Sequence, residues 1–262
     1  GAATFDAYVR SWTVVLAIFC GLLVLLGVYH VRALPAGGGA AERHSLRDGL
    51  SGLKEVVGAF FQKKHIWYYL GFIILYRLGE GFVMKIVPLF LKADTASGGL
   101  GLTNQQIGLY YGTFGAGAFL LGSLLAGYYI AHRGLRRTLF ILCCIFNIPF
   151  AVYALLAWLQ PQSMWIVGGG IVLEYFGYGF GFVGLTLFMM QQVAPGRHQM
   201  AHYAFASGIM NLSVMLTGAV SGYLSDALGY GMFFLAVMLA TVPAFLVTWF
   251  VPFTYDDKPN DK

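Results

Sequence analysis

LYRLGEGFVMKIVPLFL, residues 75–91, sets an arginine, a glutamate and a lysine in a run that is otherwise apolar. Arg77, Glu80 and Lys85 are ordinary surface charges if the run faces water and costly ones if it lies in hydrocarbon. The solvent of the whole chain therefore decides the fold.

Of the 262 residues, 58% are hydrophobic and only 10% are Asp, Glu, Lys or Arg, where a soluble domain carries about 25% charged residues. Such a chain cannot cover a water-facing surface. Apolar runs of about 20 residues, the length a helix needs to cross a hydrocarbon core of about 30 Å, recur at 12–31, 66–91, 104–130, 138–159, 164–191, 201–224 and 231–251. The expected fold class is an all-α membrane protein with seven transmembrane helices.

The basic residues orient these spans, because short loops rich in Lys and Arg stay on the cytoplasmic side. The segments on one side hold Arg32, Arg43, Arg47, Lys54, Lys63, Lys64, Arg133, Arg136, Arg137, Arg197, Lys258 and Lys262; those on the other hold only Arg10 and Lys92. The N-terminus is thus expected outside and the C-terminus in the cytoplasm. The net charge of +5 follows from this asymmetry and is not a nucleic-acid footprint. An odd number of spans and a first residue that is not methionine lead to the expectation of a longer chain, with the first span as the last helix of a missing upstream half.

Between the first two spans, residues 34–64 divide into a Gly/Ala-rich piece and a periodic one. Leu46, Leu50, Leu53, Val56, Val57, Phe60 and Phe61 recur at helical spacing, with Ser45 as N-cap. This segment reads as an amphipathic helix, lying either along the membrane interface or free in solvent as a linker. It marks the domain boundary.

Several motifs fail in context. GFGFVG, residues 179–184, fits the dinucleotide pattern but lies mid-span rather than between a strand and a helix. Its glycines fit close helix packing. Cys20, Cys143 and Cys144 fall in apolar spans without metal spacing, and the six histidines lie near the ends of the spans. No metal site, cofactor site or hydrolase triad is read, so no enzyme is expected.

The embedded charges remain. Each costs about 2.5 to 3.5 kcal/mol at a helix centre, so it must face protein or water. Arg77 and Glu80 lie about 60° apart on one helix face, within pairing reach, and Lys85 lies about 80° round on the other side. Gly79, Gly81 and Pro88 give this helix reasons to bend or break near its charges, as at the midplane sites of secondary transporters. The alternative is an ion pair that only joins two helices. Glu174, in IVLEYFGYGFGF, has no cation within reach on its own helix. It is either a proton carrier or an acid hydrogen-bonded across helices. Asn211 is a weaker polar candidate in the sixth span.

Counting spans two to seven as two triplets, the charged helices are the first and the fourth, as a 3+3 inverted repeat produces. On LYRLGEGFVMKIVPLFL, GLTNQQIGLYYGTFGAGAF, IVLEYFGYGFGFVGLTLFMM and HYAFASGIMNLSVMLTGAVSGYLSDALGYGMFFL, roughly residues 70–250, the chain resembles the C-terminal half of a major facilitator superfamily transporter. It is most similar to the AmpG-type muropeptide permeases. The resemblance implies these domains: 1–33, the last helix of the N-terminal half; 34–64, the linker; 65–254, a six-helix half; and 255–262, a cytoplasmic tail. It further implies a proton-coupled permease of the bacterial inner membrane that imports cell-wall-derived muropeptides or a similar polar anion. Protons, a small polar solute, the lipid bilayer and the missing N-terminal six-helix half are its partners. Arg77, Glu80, Lys85, Glu174 and Asn211 would form the pathway, and Arg133, Arg136 and Arg137 the gating loop, where Ala131 and His132 depart from the expected acidic and basic residues. An acetyl-CoA-type transporter, or a scaffold that kept the fold without transporting, are the alternatives. Charges in a water-filled face favour transport; charges sealed in dry pairs favour the scaffold.

Overall fold

The computed structural model describes residues 2–34 and 46–255. Among them all regular structure is helical. The first unit, residues 1–50, contains α1 (Ala2–Ala33), a helix with an apolar stretch from Phe5 to Ala33 long enough to cross a membrane. The expected cap at Ser45 lies outside the described residues.

The second unit, residues 51–262, takes in most of α2 (Leu46–Phe61) and then α3 (Ile66–Tyr76), α4 (Leu78–Lys92), α5 (Asn104–Ile107), α6 (Gly115–Arg133), α7 (Leu135–Asn147), α8 (Ala151–Leu159), α9 (Met164–Phe188) and α10 (Gln199–Trp249). The pairs α5–α6 and α7–α8 are each one continuous helical segment. A π-helical turn, Gly108–Phe114, joins the first pair, and a 3-10 turn, Ile148–Phe150, with Pro149 in it, joins the second. A second π-turn, Met189–Val193, extends α9.

Five segments are individually long and apolar enough to span a membrane: Phe5–Ala33, Asn104–Arg133, Leu135–Leu159, Met164–Val193 and Gln199–Trp249. Two expected spans look different. The one at 66–91 is divided at Arg77, whose φ of −99° and ψ of 6° leave the helix; the pieces, 11 and 15 residues, are each shorter than the ~20 a crossing requires. The spans expected at 201–224 and 231–251 are joined without a loop in the 51 residues of α10, interrupted at Gly229, where φ is 70° and ψ 161°. At 1.5 Å per residue α10 is about 75 Å of helix, more than twice a hydrocarbon core, and a positive φ at this extended ψ is open to glycine at little steric cost.

The core is aromatic and tight. Helix α9 packs between α6 and α7, and α10 packs on α3, α4, α7 and α8. Glycines set the approach: a Cβ on Gly179 would lie 2.1 Å from the Phe119 carbonyl oxygen of α6, and one on Gly177 2.4 Å from that of Ile145 of α7. GFGFVG is thus a packing surface within a continuous helix.

The amphipathic segment is neither a free linker nor wholly given to a lipid face. The buried Phe60 ring sits 5.5 Å from those of His202 and Phe205 in α10, and His202 Nε2 contacts the Val56 carbonyl at 3.2 Å. Just beyond α2, Lys63 Nζ donates to three successive carbonyls, Val193 at 2.6 Å, Ala194 at 3.2 Å and Pro195 at 2.6 Å. These are C-terminal groups that the helix itself leaves unpaired. Burial pushes the Lys63 ammonium below lysine's ordinary value, and the three acceptors offset that desolvation. Gln192 fixes the chain after α10: its Oε1 accepts from the Thr254 and Tyr255 amides at 2.8 and 3.1 Å, and its Nε2 donates to the Tyr255 carbonyl at 2.7 Å. Of the expected tail, residues beyond Tyr255 lie outside the described residues.

Candidate functional site

The break at Arg77 turns its side chain along α4 rather than away from it. Nε and Nη2 of Arg77 donate to the two carboxylate oxygens of Glu80, a forked ion pair within one helical turn. Both residues are 4% exposed. Arg77 Cζ lies over the ring of Phe182 of α9, 5.2 Å from its centre.

The bending residues named from sequence sit differently. The interruption is at Arg77, whereas Gly79 and Gly81 lie inside α4, where they let α10 approach. A Cβ on Gly79 would meet Thr241 Cγ2 at 2.6 Å, and one on Gly81 would meet Thr217 Oγ1 at 1.8 Å. Pro88 is carried within α4, which continues to Lys92.

Glu174, 6% exposed, faces inward from α9. Its partner is the Tyr153 hydroxyl of α8, which donates to Oε2 at 2.8 Å. Glu80 and Glu174 line one partly open pocket of about 40 Å³, together with Val83, Met84, Tyr111, Tyr153, Tyr175 and Tyr178. Tyr111 is brought there by the π-turn and meets Tyr175 edge to face at 4.9 Å. The two carboxyls, 94 positions apart in the chain, thus share a chamber walled by tyrosines.

Lys85 and Asn211 do not join it. Both are exposed, and the Lys85 stem crosses Gly218 of α10 so closely that a Cβ there would lie 3.1 Å from Lys85 Cγ. Arg133, Arg136 and Arg137 flank the sharp turn at Gly134 between α6 and α7, all exposed, with Arg136 Cζ 5.9 Å from the Phe253 ring.

Sequence reasoning missed Tyr153, Tyr178 and Phe182. A tyrosine in an apolar span is the available signal, since its hydroxyl needs a partner when buried. Asn147, in the fourth expected span, is buried as well, and its amide donates to the Cys143 carbonyl at 3.1 Å in its own helix.

Residues 74–262 match the family model of the Major Facilitator Superfamily. Among curated proteins, the anhydromuropeptide permease of Escherichia coli (strain K12) is 26% identical over 188 residues, 72% of this chain and 37% of the permease. The putative transporter AmpG 2 of Rickettsia bellii is 24% identical over 195 residues, 73% of this chain and 46% of that protein. The chain thus spans less than half the length of these relatives.

Proposed function

Because the chain belongs to the major facilitator superfamily, we propose that it serves a proton-coupled secondary transporter that imports cell-wall-derived muropeptides or a similar polar anion. It would do so across a bacterial inner membrane, working with a preceding six-helix half. The observation that carries the reading is the shared chamber: carboxyls from two distant spans, Glu80 and Glu174, converge on one pocket. Packing alone gives no reason for two acids to meet. The permease name of the E. coli relative supports the solute class.

In this reading the protein crosses the membrane seven times: α1, α3–α4, α5–α6, α7–α8, α9, and α10 twice, folded at Gly229. The last six crossings form two inverted triplets within 65–254, preceded by the 1–33 helix and the 34–64 linker and followed by the 255–262 tail. The N-terminus lies outside and the C-terminus in the cytoplasm, which places Arg133, Arg136 and Arg137 at the cytoplasmic gate. Glu80 and Glu174 belong to the proton path. Lys85 and Asn211, exposed on α4 and α10, meet the anionic solute, whereas Arg77, forked onto Glu80 and capped by Phe182, is withheld from it.

One observation favours a second reading. The Arg77–Glu80 pair is sealed, as in a scaffold that kept the fold without transporting. Uptake of labelled anhydromuropeptide into proteoliposomes holding the full-length protein separates the two. Accumulation driven by a pH gradient is expected. No flux of muropeptide, acetyl-CoA or other anion under any gradient leaves the scaffold.

A further inference from the structure

Resting on the proton-coupled reading, we infer that Glu174 holds the exchangeable proton of the chamber, that Glu80 is the fixed counter-charge of Arg77, and that Tyr153 positions the Glu174 carboxyl. The charges around the chamber lead there by count. Arg77 brings one positive charge, and Glu80 and Glu174 would bring two negative ones if both were ionised. The walls facing Glu174 add none: α4 supplies Glu80, the π-turn Tyr111, α8 Tyr153, and α9 itself Tyr175 and Tyr178. A buried cluster with one uncompensated charge is disfavoured, and a proton on one carboxyl removes the excess.

The geometry then chooses the carboxyl. Both oxygens of Glu80 accept from the Arg77 fork, so a proton there would displace a charge-assisted bond and leave the guanidinium short of an acceptor. Glu174 has no such claim on it. It accepts one bond, from the neutral Tyr153 hydroxyl to Oε2 at 2.8 Å. This leaves its other oxygen to carry the proton. The Tyr153 bond fixes which oxygen that is, and Tyr153 comes from α8, a different rod from the helix that carries the acid. A shift of α8 against α9 would therefore change how tightly the proton is held.

Release is a simple transfer. The O–H bond of the Glu174 carboxyl breaks, its electron pair stays on the carboxylate, and the proton passes to a water admitted to the cavity. A volume of about 40 Å³ has room for one or two waters. Uptake is the reverse, and the cluster moves between neutral and singly negative.

Infrared difference spectroscopy of the full-length protein in bilayers tests the assignment. A carboxylic C=O band is expected in the wild type at neutral pH, lost in Glu174→Gln and kept at its frequency in the double variant Arg77→Gln, Glu80→Gln, which removes the ion pair without changing the net charge of the cluster. Tyr153→Phe should move it to higher frequency as the bond to the carbonyl oxygen disappears, a shift that a purely structural tyrosine would not cause. A band kept in Glu174→Gln, a band lost or moved in the double variant, or no band in the wild type overturns the assignment. If Glu174→Gln does not fold, Tyr153→Phe decides, and an unmoved band in the folded variant overturns it. Transport separates this from the broader reading. A wild type without pH-driven uptake sinks the transporter and leaves the infrared assignment standing, whereas pH-driven uptake surviving in Glu174→Gln sinks the assignment alone.

Discussion

The carboxyl chamber and the end of the bundle around Lys63 face the same physical demand, to keep polar groups out of water, and meet it from different sources. In the chamber the helices spend most of their amides and carbonyls on themselves. The partners are all side chains: Arg77 for Glu80, Tyr153 for Glu174. At the Lys63 end, α9 runs out and leaves carbonyls 193–195 unpaired by the helix, so one ammonium satisfies three of them. Side-chain partnerships can be exchanged by moving a rotamer or a proton. Backbone partnerships hold as long as the helix end holds. The difference fits a chamber that changes state between rods whose ends are pinned.

The strongest way to break this comparison is to remove half of the chamber pair. Arg77→Met leaves Glu80 buried and alone, which costs about 3 to 5 kcal/mol, read as a lower unfolding midpoint in detergent. Arg77→Met with Glu80→Met should recover most of that loss, because the second change removes the stranded charge. A double variant as unstable as the single one would mean that the pair is embedded in a wider network.

Lys63→Met tests the other side. Three carbonyls lose a charged donor, and a loss of about 2 kcal/mol is expected, with faster amide exchange at the end of α9. A stability change near zero would show that water replaces the lysine freely there. Next comes the fit that holds α4 on α10. Gly81→Ala drives a methyl into Thr217 and should cost about 1.5 kcal/mol, partly relieved by Thr217→Ala. The smallest effect belongs to Glu55, which meets Arg197 at 3.3 Å with the arginine side chain 82% exposed. Glu55→Gln should change stability by less than about 0.5 kcal/mol, and a larger loss would mean that α2 is docked by charge rather than by Phe60.

The difference between the regions also governs what the sequence disclosed. Arg77 and Glu80 were legible as a pair because three residues on a helix fix their neighbourhood. The apolar runs were legible as helices because composition sets the solvent. The Glu174–Tyr153 bond was not, since it joins different spans and a tyrosine among aromatics carries no mark of its hydroxyl's destination. The Lys63 contacts were hidden for a deeper reason: backbone acceptors leave no residue type to read. The glycines beside Glu80 were read as places to bend, yet a glycine marks equally well a surface where another helix comes close. The packing around Thr217 and Thr241 decides for the latter.

The Lys63 clip has a consequence in time. Its acceptors lie 130 to 132 positions downstream, and at roughly 5 to 20 residues per second the ribosome needs on the order of ten seconds to deliver them. Throughout that interval the lysine waits with its ammonium in water while four apolar stretches are made behind it. The clip is therefore a late fastening, closed only when the end of α9 arrives, and a chain halted before residue 193 would hold its first helices without it.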